Sequence, residues 1–543
     1  MTDPKIQGAS VRDAAFDALR EIGLTKIFSN PGSTEVPLLA GLPDGLEFVL
    51  GLHEASVVGM ASGYAIGRGE PAFVLLHTTA GLGNAVGALA TARVNRAPLL
   101  VVVGQQDRRH LAQEPFLAGR LDGLAGDYPV WVNQPARAQD VPGAIVRAYH
   151  EARTQRGPAI VIVPMDDWLA PAPEPHELLG PARLVESRQP APEAVAELVA
   201  LVDGAESPVL VVGAGADSPE CWSALVQLAE RLSCPVWQES FGARAGFPQD
   251  HRLFAGHLPA ARARLRHVLD PHDAILVVGA PVFRQYPYDD GPLAPPGARV
   301  ALVTDDGAEA HRSPTELTLL ADLAATSKAL AERVARRSPD PGALEWSSTP
   351  GALGAPAPGS PLRAAHVLDA LAARLPSNIV VVEETPSSRP ELHARMPARQ
   401  PLGFVSAAMG GLGFALPAAI GLRMALPERP VVAVVGDGSS LYAIQSLWSA
   451  AHYRVGALFV VLANGRYAVM DRLAERTGKS GPWPAFEAIQ VAAMAHALGC
   501  PARRVEEHVE LLAQLDELVP RLESGTEPFL LEVAVEPDAL FEP

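Results

Sequence analysis

The chain has 543 residues, enough for two to four domains, and 48% of them are apolar, which is ordinary for a globular protein. A formal net charge of −17 argues against a nucleic-acid partner, because phosphate binding favours a basic surface. The three cysteines, Cys221, Cys234 and Cys500, form no C-x-x-C pair, which argues against a disulfide framework or a zinc site and favours a reducing cytoplasm. Residues 1–23 hold no apolar signal core, and no apolar run of about 18 residues follows, so we expect a cytoplasmic protein without a membrane span.

Two proline-rich stretches divide the chain. Residues 170–192 and 338–361 are poor in periodicity, and the second stretch is also rich in Gly and Ser. Both are typical of exposed connectors. The sequence therefore predicts three domains of ordinary size, at residues 1–180, 190–338 and 360–543.

Each predicted domain alternates short β-branched runs with an Ala- and Leu-rich helical pattern. In chain order the predicted strands are AFVLLH, PLLVVVG and AIVIVP, then PVLVVGAG, AILVVGA and ARVALV, and finally NIVVVE, PVVAVVGDG and ALFVVLAN. Continuous apolar strands are typical of parallel sheets that helices cover on both faces. We therefore expect an α/β fold of three consecutive doubly wound parallel-sheet domains. Ligands of such sheets bind at the carboxyl ends of strands, so the residues directly after these runs are candidates for a site.

One such strand end carries the tripeptide Gly436-Asp437-Gly438, and the next ends at Asn464. If the two strands are neighbours, a carboxylate and an amide oxygen meet at the edge of the sheet. Such hard oxygen ligands suit Mg²⁺ or Ca²⁺, and Mg²⁺ usually keeps substrate phosphates in its shell. The glycines allow close approach of a phosphate, and Ser439 and Ser440 at the start of the next helix add donors. The tripeptide alone is equally well explained as a plain turn, with Asn464 as a helix cap.

The spacing of these residues matches a known family. G-D-G, 25 intervening residues and N resemble the diphosphate-binding signature of thiamine diphosphate enzymes, although the first of the family's two asparagines is Ala463 here. FSNPGSTEVPLL, LHEASVVGMASGYA, LLHTTAGLGNAVGAL, VIVPMDDW, GAPVFR and GGLGFALPAAIGL extend the likeness, which is strongest to benzoylformate decarboxylases among the 2-oxo acid decarboxylases and carboligases. The resemblance implies a pyrimidine-binding, a middle Rossmann-like and a diphosphate-binding domain, in the order of the three segments.

The resemblance also assigns residues that activate the cofactor. Glu54 begins a predicted helix, where the helix dipole alone would favour an acid. In the family this acid exchanges a proton with N1′ of the aminopyrimidine, which requires a dry pocket. Leu412 matches the apolar residue that bends the cofactor, and the glycines beside it, including Gly410, allow the backbone to approach the pyrimidine. The full set that the resemblance implies for the cofactor is Glu54, Gly410, Leu412, Gly436, Asp437, Gly438, Ser439, Tyr442, Asn464 and Tyr467, with Asp437, Asn464 and Arg466 on the metal.

Three further residues are implied for catalysis on the substrate. Taken alone, N-P-G-S at Ser33 is a turn and His77 is an ordinary residue after a strand. The resemblance implies that Ser33 contacts the substrate carboxylate and that His77 transfers protons. A second family histidine, from the middle domain, is missing, and Tyr286 stands near its place. A phenol is the weaker acid at neutral pH, so the enamine would be protonated more slowly and carboligation would be favoured.

The residues after Asn464 leave the substrate side chain open. Val469, Met470, Arg472 and Leu473 stand where the family has small and aromatic residues, and Arg472 either attracts an acidic substrate or faces solvent. A dinucleotide site at residues 211–217, VVGAGAD, is not expected, because the full G-x-G-x-x-G is absent.

The expected function is non-oxidative decarboxylation of a benzoylformate-like 2-oxo acid to an aldehyde and CO₂ through a thiamine diphosphate enamine, with Mg²⁺ or Ca²⁺ and with carboligation as a second outcome. The resemblance implies a homotetramer with active sites between chains. Two alternatives stay open. One is an acetolactate synthase-like carboligase, against which His77 argues. The other is a non-catalytic family member, against which Glu54, Asp437 and Asn464 argue.

Overall fold

A computed structural model describes residues 8–174, 180–181, 183–338, 351–357 and 359–537. Three six-stranded parallel sheets with helices between their strands form the fold, as the sequence predicts. By internal contacts the chain divides into two units. One unit holds residues up to 185 with 409–505 and 520–534, and the other holds 186–408 with 506–519 and the residues from 535 on.

The first sheet has the strand order β2-β1-β3-β4-β6-β5. Its strands are β1 (Lys26–Asn30), β2 (Glu47–Leu50), β3 (Ala72–Leu76), β4 (Leu99–Gln105), β5 (Trp131–Asn133) and β6 (Pro158–Pro164). The helices along this segment are α1 (Val11–Glu21), α2 (Val36–Leu39), α3 (Glu54–Arg68), α4 (Thr78–Val94) and α5 (Val141–Gln155). Strands β3, β4 and β6 are buried along their whole length, which explains their unbroken apolar sequences.

The second sheet has the order β12-β11-β10-β7-β8-β9. Its strands are β7 (Pro208–Val212), β8 (Val236–Gln238), β9 (Phe254–His257), β10 (Ala274–Val278), β11 (Arg299–Thr304) and β12 (Leu317–Leu320). The helices are α6 (Pro192–Asp203), α7 (Pro219–Leu232), α8 (Arg262–Leu269), α9 (Gly307–Arg312) and α10 (Leu323–Arg333).

The third sheet has the order β14-β13-β15-β16-β18-β17. Its strands are β13 (Val380–Glu384), β14 (Phe404–Ser406), β15 (Val431–Gly436), β16 (Leu458–Ala463), β17 (Ala502–Val505) and β18 (Phe529–Ala534). The helices are α11 (Ala364–Ala372), α12 (Arg389–Arg395), α13 (Ala415–Ala425), α14 (Asp437–Ser440), α15 (Ser446–His452), α16 (Ala468–Arg476), α17 (Val491–Ala497) and α18 (His508–Leu518). Five short 3₁₀ segments complete the described structure, at Arg108–Gln113, Ala138–Asp140, Asp167–Leu169, Ala214–Ala216 and Val519–Arg521.

The predicted connectors are only partly described. The described residues between 171 and 191 hold no helix or strand and are mostly exposed, as expected for the first connector. Most of the second connector lies outside the described residues. The domain boundaries at residues 1–180, 190–338 and 360–543 stay a prediction.

Helices α3 and α13 pack backbone to backbone through two stripes of small residues. Gly59, Gly63 and Gly67 lie four residues apart on α3 and face Pro417, Ala418 and Ala425 on α13. A Cβ built on Gly59 would lie 2.6 Å from Cγ of Pro417, and one on Gly67 would lie 2.8 Å from Cβ of Ala425. Glycine is therefore required on α3, and the contact fixes the helix that Glu54 begins.

Candidate active site

Asp437 lies at the carboxyl end of β15, at the edge of the third sheet. It is 7% exposed, and its two carboxylate oxygens accept from the backbone N–H groups of Gly438 (2.8 Å) and Gly465 (2.6 Å). Burial raises the pKa of this carboxyl group, and the N–H groups of Gly465, Gly438 and Asn464 oppose that rise. The side chain is held in one orientation, with lone pairs left over for a cation.

Asn464 follows the neighbouring strand, as the sequence predicts. Strands β15 and β16 pair in register, with Gly436 opposite Leu462, so Asp437 and Asn464 leave the sheet side by side. Asn464 Oδ1 accepts from the backbone N–H of Arg466 at 3.1 Å, and the Arg466 guanidinium pairs with Asp471 at 3.0 Å. The guanidinium is a cation without an acceptor lone pair, so Arg466 could bind a metal ion only through its backbone carbonyl.

The donor set fits a hard divalent cation rather than zinc. Among the described residues, no group of three or more His, Cys, Asp or Glu side chains could hold a metal ion. A single buried carboxylate, an amide oxygen and a carbonyl match the preference of Mg²⁺ for oxygen ligands, with coordination completed by phosphate and water. The residues thus fit the metal diphosphate that the sequence predicts.

One expectation about this strand end is wrong in part. The sequence predicts that Ser439 and Ser440 start a helix, but α14 is a single turn of four residues that ends at Ser440. Ser440 Oγ donates to the carbonyl of Asp437 at 2.7 Å and both serines are buried, so the Ser440 hydroxyl supports the turn itself. Because so short a helix lacks an aligned stack of peptide dipoles, any anion here must rely on individual N–H groups.

Two aromatic rings cover the backbone of Gly438. A Cβ at Gly438 would lie 2.7 Å from Cε1 of Tyr467 and 3.2 Å from Cζ of Phe486. These two rings contact each other at a centroid distance of 5.0 Å. Burial and then the neighbouring phenol of Tyr442 raise the pKa of Tyr467. Tyr442 and Tyr467, both predicted for the cofactor, therefore lie together beside Asp437, while Phe486 was missed.

The glycine-rich turn before α13 has the conformation that the sequence requires. Gly410 and Gly413 have φ angles of 71° and 93°, which favour glycine. A Cβ at Gly413 would lie 3.0 Å from Cβ of Tyr442, so the turn passes close to the aromatic group at the end of β15. Leu412, between them, is half-buried.

Glu54 is the first residue of α3, as predicted, and is 7% exposed. Asn84 Nδ2 donates to its Oε2 at 3.0 Å and Asn30 Nδ2 donates to its Oε1 at 3.3 Å. Both carboxylate oxygens are therefore held by neutral donors. The sequence reasoning missed Asn84 and the contact of Asn30, although both residues lie in segments that carried the resemblance. Within the described residues, no hydrogen bond or ion pair joins the Glu54 group to the Asp437 group.

Ser33 and His77 follow two neighbouring strands of the first sheet. Ser33 lies exposed in the turn after β1, and His77 follows β3, which is paired with β1. His77 Nδ1 lies 3.0 Å from Oε2 of Glu35 and 2.9 Å from Oγ1 of Thr34. The histidine predicted for proton transfer is thus held from one side by two residues that the sequence reasoning did not single out.

Two further predicted residues have contacts that do not test their roles. Tyr286 is 52% exposed, and its backbone N–H donates to the carbonyl of Ala260 at 3.1 Å. On α16, Arg472 pairs with Glu475 at 2.8 Å. In the part of the chain that the structure describes, no side-chain hydrogen bond defines the chemistry of Tyr286, so its role stays a prediction.

The glycines of residues 211–217 serve packing within the second sheet. A Cβ at Gly213 would lie 2.6 Å from Cβ of Ala280, and one at Gly215 would lie 2.9 Å from Cα of Gly279. Nearby, Glu239 follows β8, is 4% exposed, and leaves its Oε2 without a partner in the described residues. Burial raises the pKa of Glu239 to about 7.

The described part of the chain holds no helix of the length and apolarity that crossing a membrane would require.

Comparison with known proteins identifies three family domains. The model of the thiamine pyrophosphate enzyme N-terminal TPP binding domain matches residues 9–124, that of the central domain matches 195–330, and that of the C-terminal TPP binding domain matches 389–533. Among curated proteins, benzoylformate decarboxylase of Pseudomonas aeruginosa is 42% identical over 467 residues, covering 85% of this chain and 87% of that protein. The acetolactate synthase large subunit of Parasynechococcus marenigrum is 28% identical over 495 residues, covering 84% and 76%.

Solved structures agree with these relatives. The thiamine diphosphate-dependent 4-hydroxybenzoylformate decarboxylase of Rhodococcus jostii RHA1 superposes with a TM-score of 0.92 at 36% identity, covering 98% of this chain and all of that one.

Proposed function

Because this chain belongs to the thiamine diphosphate-dependent 2-oxo acid decarboxylase family, we propose that its substrate is a benzoylformate-like 2-oxo acid, which it converts to an aldehyde and CO₂. The similarity to benzoylformate and 4-hydroxybenzoylformate decarboxylases supports an aryl substrate. The observation that carries the choice is His77, whose ring lies against the turn that carries Ser33. Its Nδ1 contacts Thr34 and Glu35, and its Nε2 has no hydrogen-bond partner among the described residues.

The cofactor is thiamine diphosphate, and we propose Mg²⁺ as the metal that accompanies it. Asp437, Asn464 and the backbone carbonyl of Arg466 would bind the metal, while Gly410 and Leu412 would hold the pyrimidine end. When bound, the thiazolium of the cofactor supplies an electron sink for the pair released as CO₂ leaves. The protein contributes binding, orientation and exclusion of water.

In this proposal Glu54 exchanges a proton with the aminopyrimidine N1′. Its burial removes competing water, and the amides of Asn84 and Asn30 fix the plane of the carboxylate. Neutral amide donors orient the group without forming an ion pair with it. Such a carboxylate can both give and take a proton, as the role requires.

Ser33 and His77 act on the substrate. The exposed Ser33 hydroxyl donates to the substrate carboxylate, and Nε2 of His77 moves a proton to and from the oxygen of the former keto group. Tyr286 supplies the second proton donor. A weak donor there would leave time for a second carbonyl compound to react, which favours a hydroxy ketone as a side product.

A panel of 2-oxo acids tests this function, with CO₂, aldehyde and hydroxy ketone measured separately. We expect aldehyde and CO₂ in equal amounts from benzoylformate, and less from pyruvate. Acetolactate from pyruvate as the main product would favour the acetolactate synthase-like alternative instead.

We further propose a homotetramer in which each active site combines Glu54 of one chain with Asp437 of another. Within the described residues no hydrogen bond or ion pair joins the two groups, which supports this arrangement. Large apolar side chains left exposed on the single chain also support it: Phe116 at 88%, Tyr442 at 54% and Met409 at 45%. Mixing the inactive variants Glu54→Gln and Asp437→Ala, after dissociation and reassembly, should restore part of the activity. Lack of any restoration in verified mixed oligomers would place both residues of a site on one chain.

A further inference from the structure

Glu35 is a deeply buried carboxylate that the roles above leave unused. Its side chain is 1% exposed, and it follows the N-P-G-S turn by one residue. Burying an ionised carboxylate costs free energy unless donors or a cation compensate. In the described part of the chain, no lysine or arginine forms an ion pair with Glu35. The basic side chain that contacts its carboxylate is that of His77.

The hydrogen bonds around Glu35 determine which nitrogen of His77 carries the proton. Thr34 Oγ1 donates to Glu35 Oε1 at 2.5 Å, so its single hydrogen is used there. Toward His77 Nδ1, both Thr34 Oγ1 and the carboxylate of Glu35 can then act only as acceptors. Nδ1 must therefore bear the hydrogen, and Nε2 of the neutral ring keeps its lone pair.

The same carboxylate holds the turn that carries Ser33. Glu35 Oε2 accepts from the backbone N–H of Gly32 at 2.7 Å, on the residue before Ser33. A Cβ at Gly32 would lie 2.5 Å from Cγ of His77, so only glycine lets the turn lie against the imidazole ring. Glu35 thus links the backbone beside Ser33 to the ring of His77.

We propose that Glu35 is a positioning residue for His77: it keeps the proton on Nδ1, holds the ring against the 31–34 turn and leaves Nε2 for the substrate. The inference rests on the role proposed for His77 and goes beyond it by naming what sets the tautomer. An acid that orients a histidine through Nδ1 in this way fixes which nitrogen does the chemistry.

The tautomer can be measured without cofactor or substrate. In protein labelled with ¹⁵N-histidine, two-bond ¹H–¹⁵N spectra distinguish the two neutral tautomers, and the His77→Ala variant assigns the signal. We expect the proton on Nδ1 of His77 in the wild type and in Glu35→Gln, whose amide oxygen still accepts, and a mixture in Glu35→Leu. A wild-type ring with its proton on Nε2 overturns the proposal.

Kinetics separates positioning from general stability. Glu35→Leu should lower kcat about 10-fold or more with little change in thiamine diphosphate affinity, and Glu35→Gln should recover most of the loss. Added to His77→Ala, Glu35→Leu should lower kcat little further, because residues that act as a unit are not additive. The matched control is Glu70→Gln, beyond the other end of α3 and paired with Arg153, which should keep wild-type kcat.

The outcomes also separate this proposal from the proposed function. Full kcat in Glu35→Leu, together with a strong defect in His77→Ala, overturns the positioning role and leaves the role of His77 intact. Full kcat in His77→Ala contradicts the proposed role of His77 and with it the basis of this inference. If Glu35→Leu does not fold, the wild-type spectrum and Glu35→Gln still decide the result.

Discussion

Replacing Gly63 by alanine places a methyl group against the backbone of α13. The added Cβ would lie 2.8 Å from Cα of Ala418 and closer still to its carbonyl oxygen. Since carbon atoms pack best about 3.5 Å or more apart, the helices must separate by at least ~0.7 Å. Overpacking of this kind costs about 1–3 kcal/mol, and the better helix propensity of alanine returns about 1 kcal/mol.

The net loss, at most about 2 kcal/mol, should lower the melting temperature by up to about 8 °C and should also reach the active site. Because α3 begins at Glu54, a shift of the helix moves the carboxylate, and a displacement near 1 Å can cost about 100-fold in rate. We expect kcat to fall about 10-fold or more, measured beside the melting temperature by calorimetry. Gly307→Ala is the control: Gly307 begins α9 with nothing within 4 Å of an added Cβ, so both quantities should stay unchanged. A Gly63→Ala variant with wild-type stability and rate would refute the close packing of α3 on α13.

Three further predictions follow from the described contacts. The pKa of Glu239 is about 7 in the folded protein, against 4.5 for the free side chain. Between these two pH values the unfolded chain releases a proton that the folded chain keeps, so the stability of the fold falls as the pH rises. Between pH 5 and pH 8, Glu239→Gln should thus gain stability relative to the wild type, by about 3 kcal/mol at most. If the melting temperatures of the variant and the wild type differed by the same amount at pH 5 and at pH 8, this would be contradicted. Asp437→Ala should weaken thiamine diphosphate binding in Mg²⁺ about 100-fold or more by titration calorimetry without unfolding, and unchanged affinity would remove Asp437 from the metal site. Gly32→Ala should reduce kcat strongly through its contact with His77, and a fully active variant would show that the turn can move away.

The central strands were predictable because they are buried on both faces. β3, β10 and β15 read as unbroken apolar runs, and every strand named in the sequence is present. The strands that were missed are short, or carry charge. β17 is four residues with two arginines, and β18 includes Glu532. Glu532 is fully buried because Ala492 N–H and Arg504 satisfy it, and a pattern of hydropathy cannot foresee such partners.

The site shows the same division. Asp437 and Asn464 could be placed together because parallel strands end at one edge of a sheet. The partners of Glu54 and His77 could not be placed, because Asn84 and Glu35 lie 30 and 42 residues away in sequence from the residues they contact. The position of Ser439 and Ser440 within α14 could not be predicted, since a hydroxyl such as that of Ser440 can close a single turn as well as begin a helix.

The role of Glu54 is tested most directly by CO₂ release from benzoylformate by the wild type and by Glu54→Gln, each saturated with thiamine diphosphate and Mg²⁺. We expect rapid, cofactor-dependent release by the wild type. In Glu54→Gln we expect loss of nearly all turnover, although this variant should still fold and bind Mg²⁺, because the amide cannot exchange the proton at N1′. Wild-type turnover in Glu54→Gln would contradict the central claim that this buried carboxylate activates the cofactor.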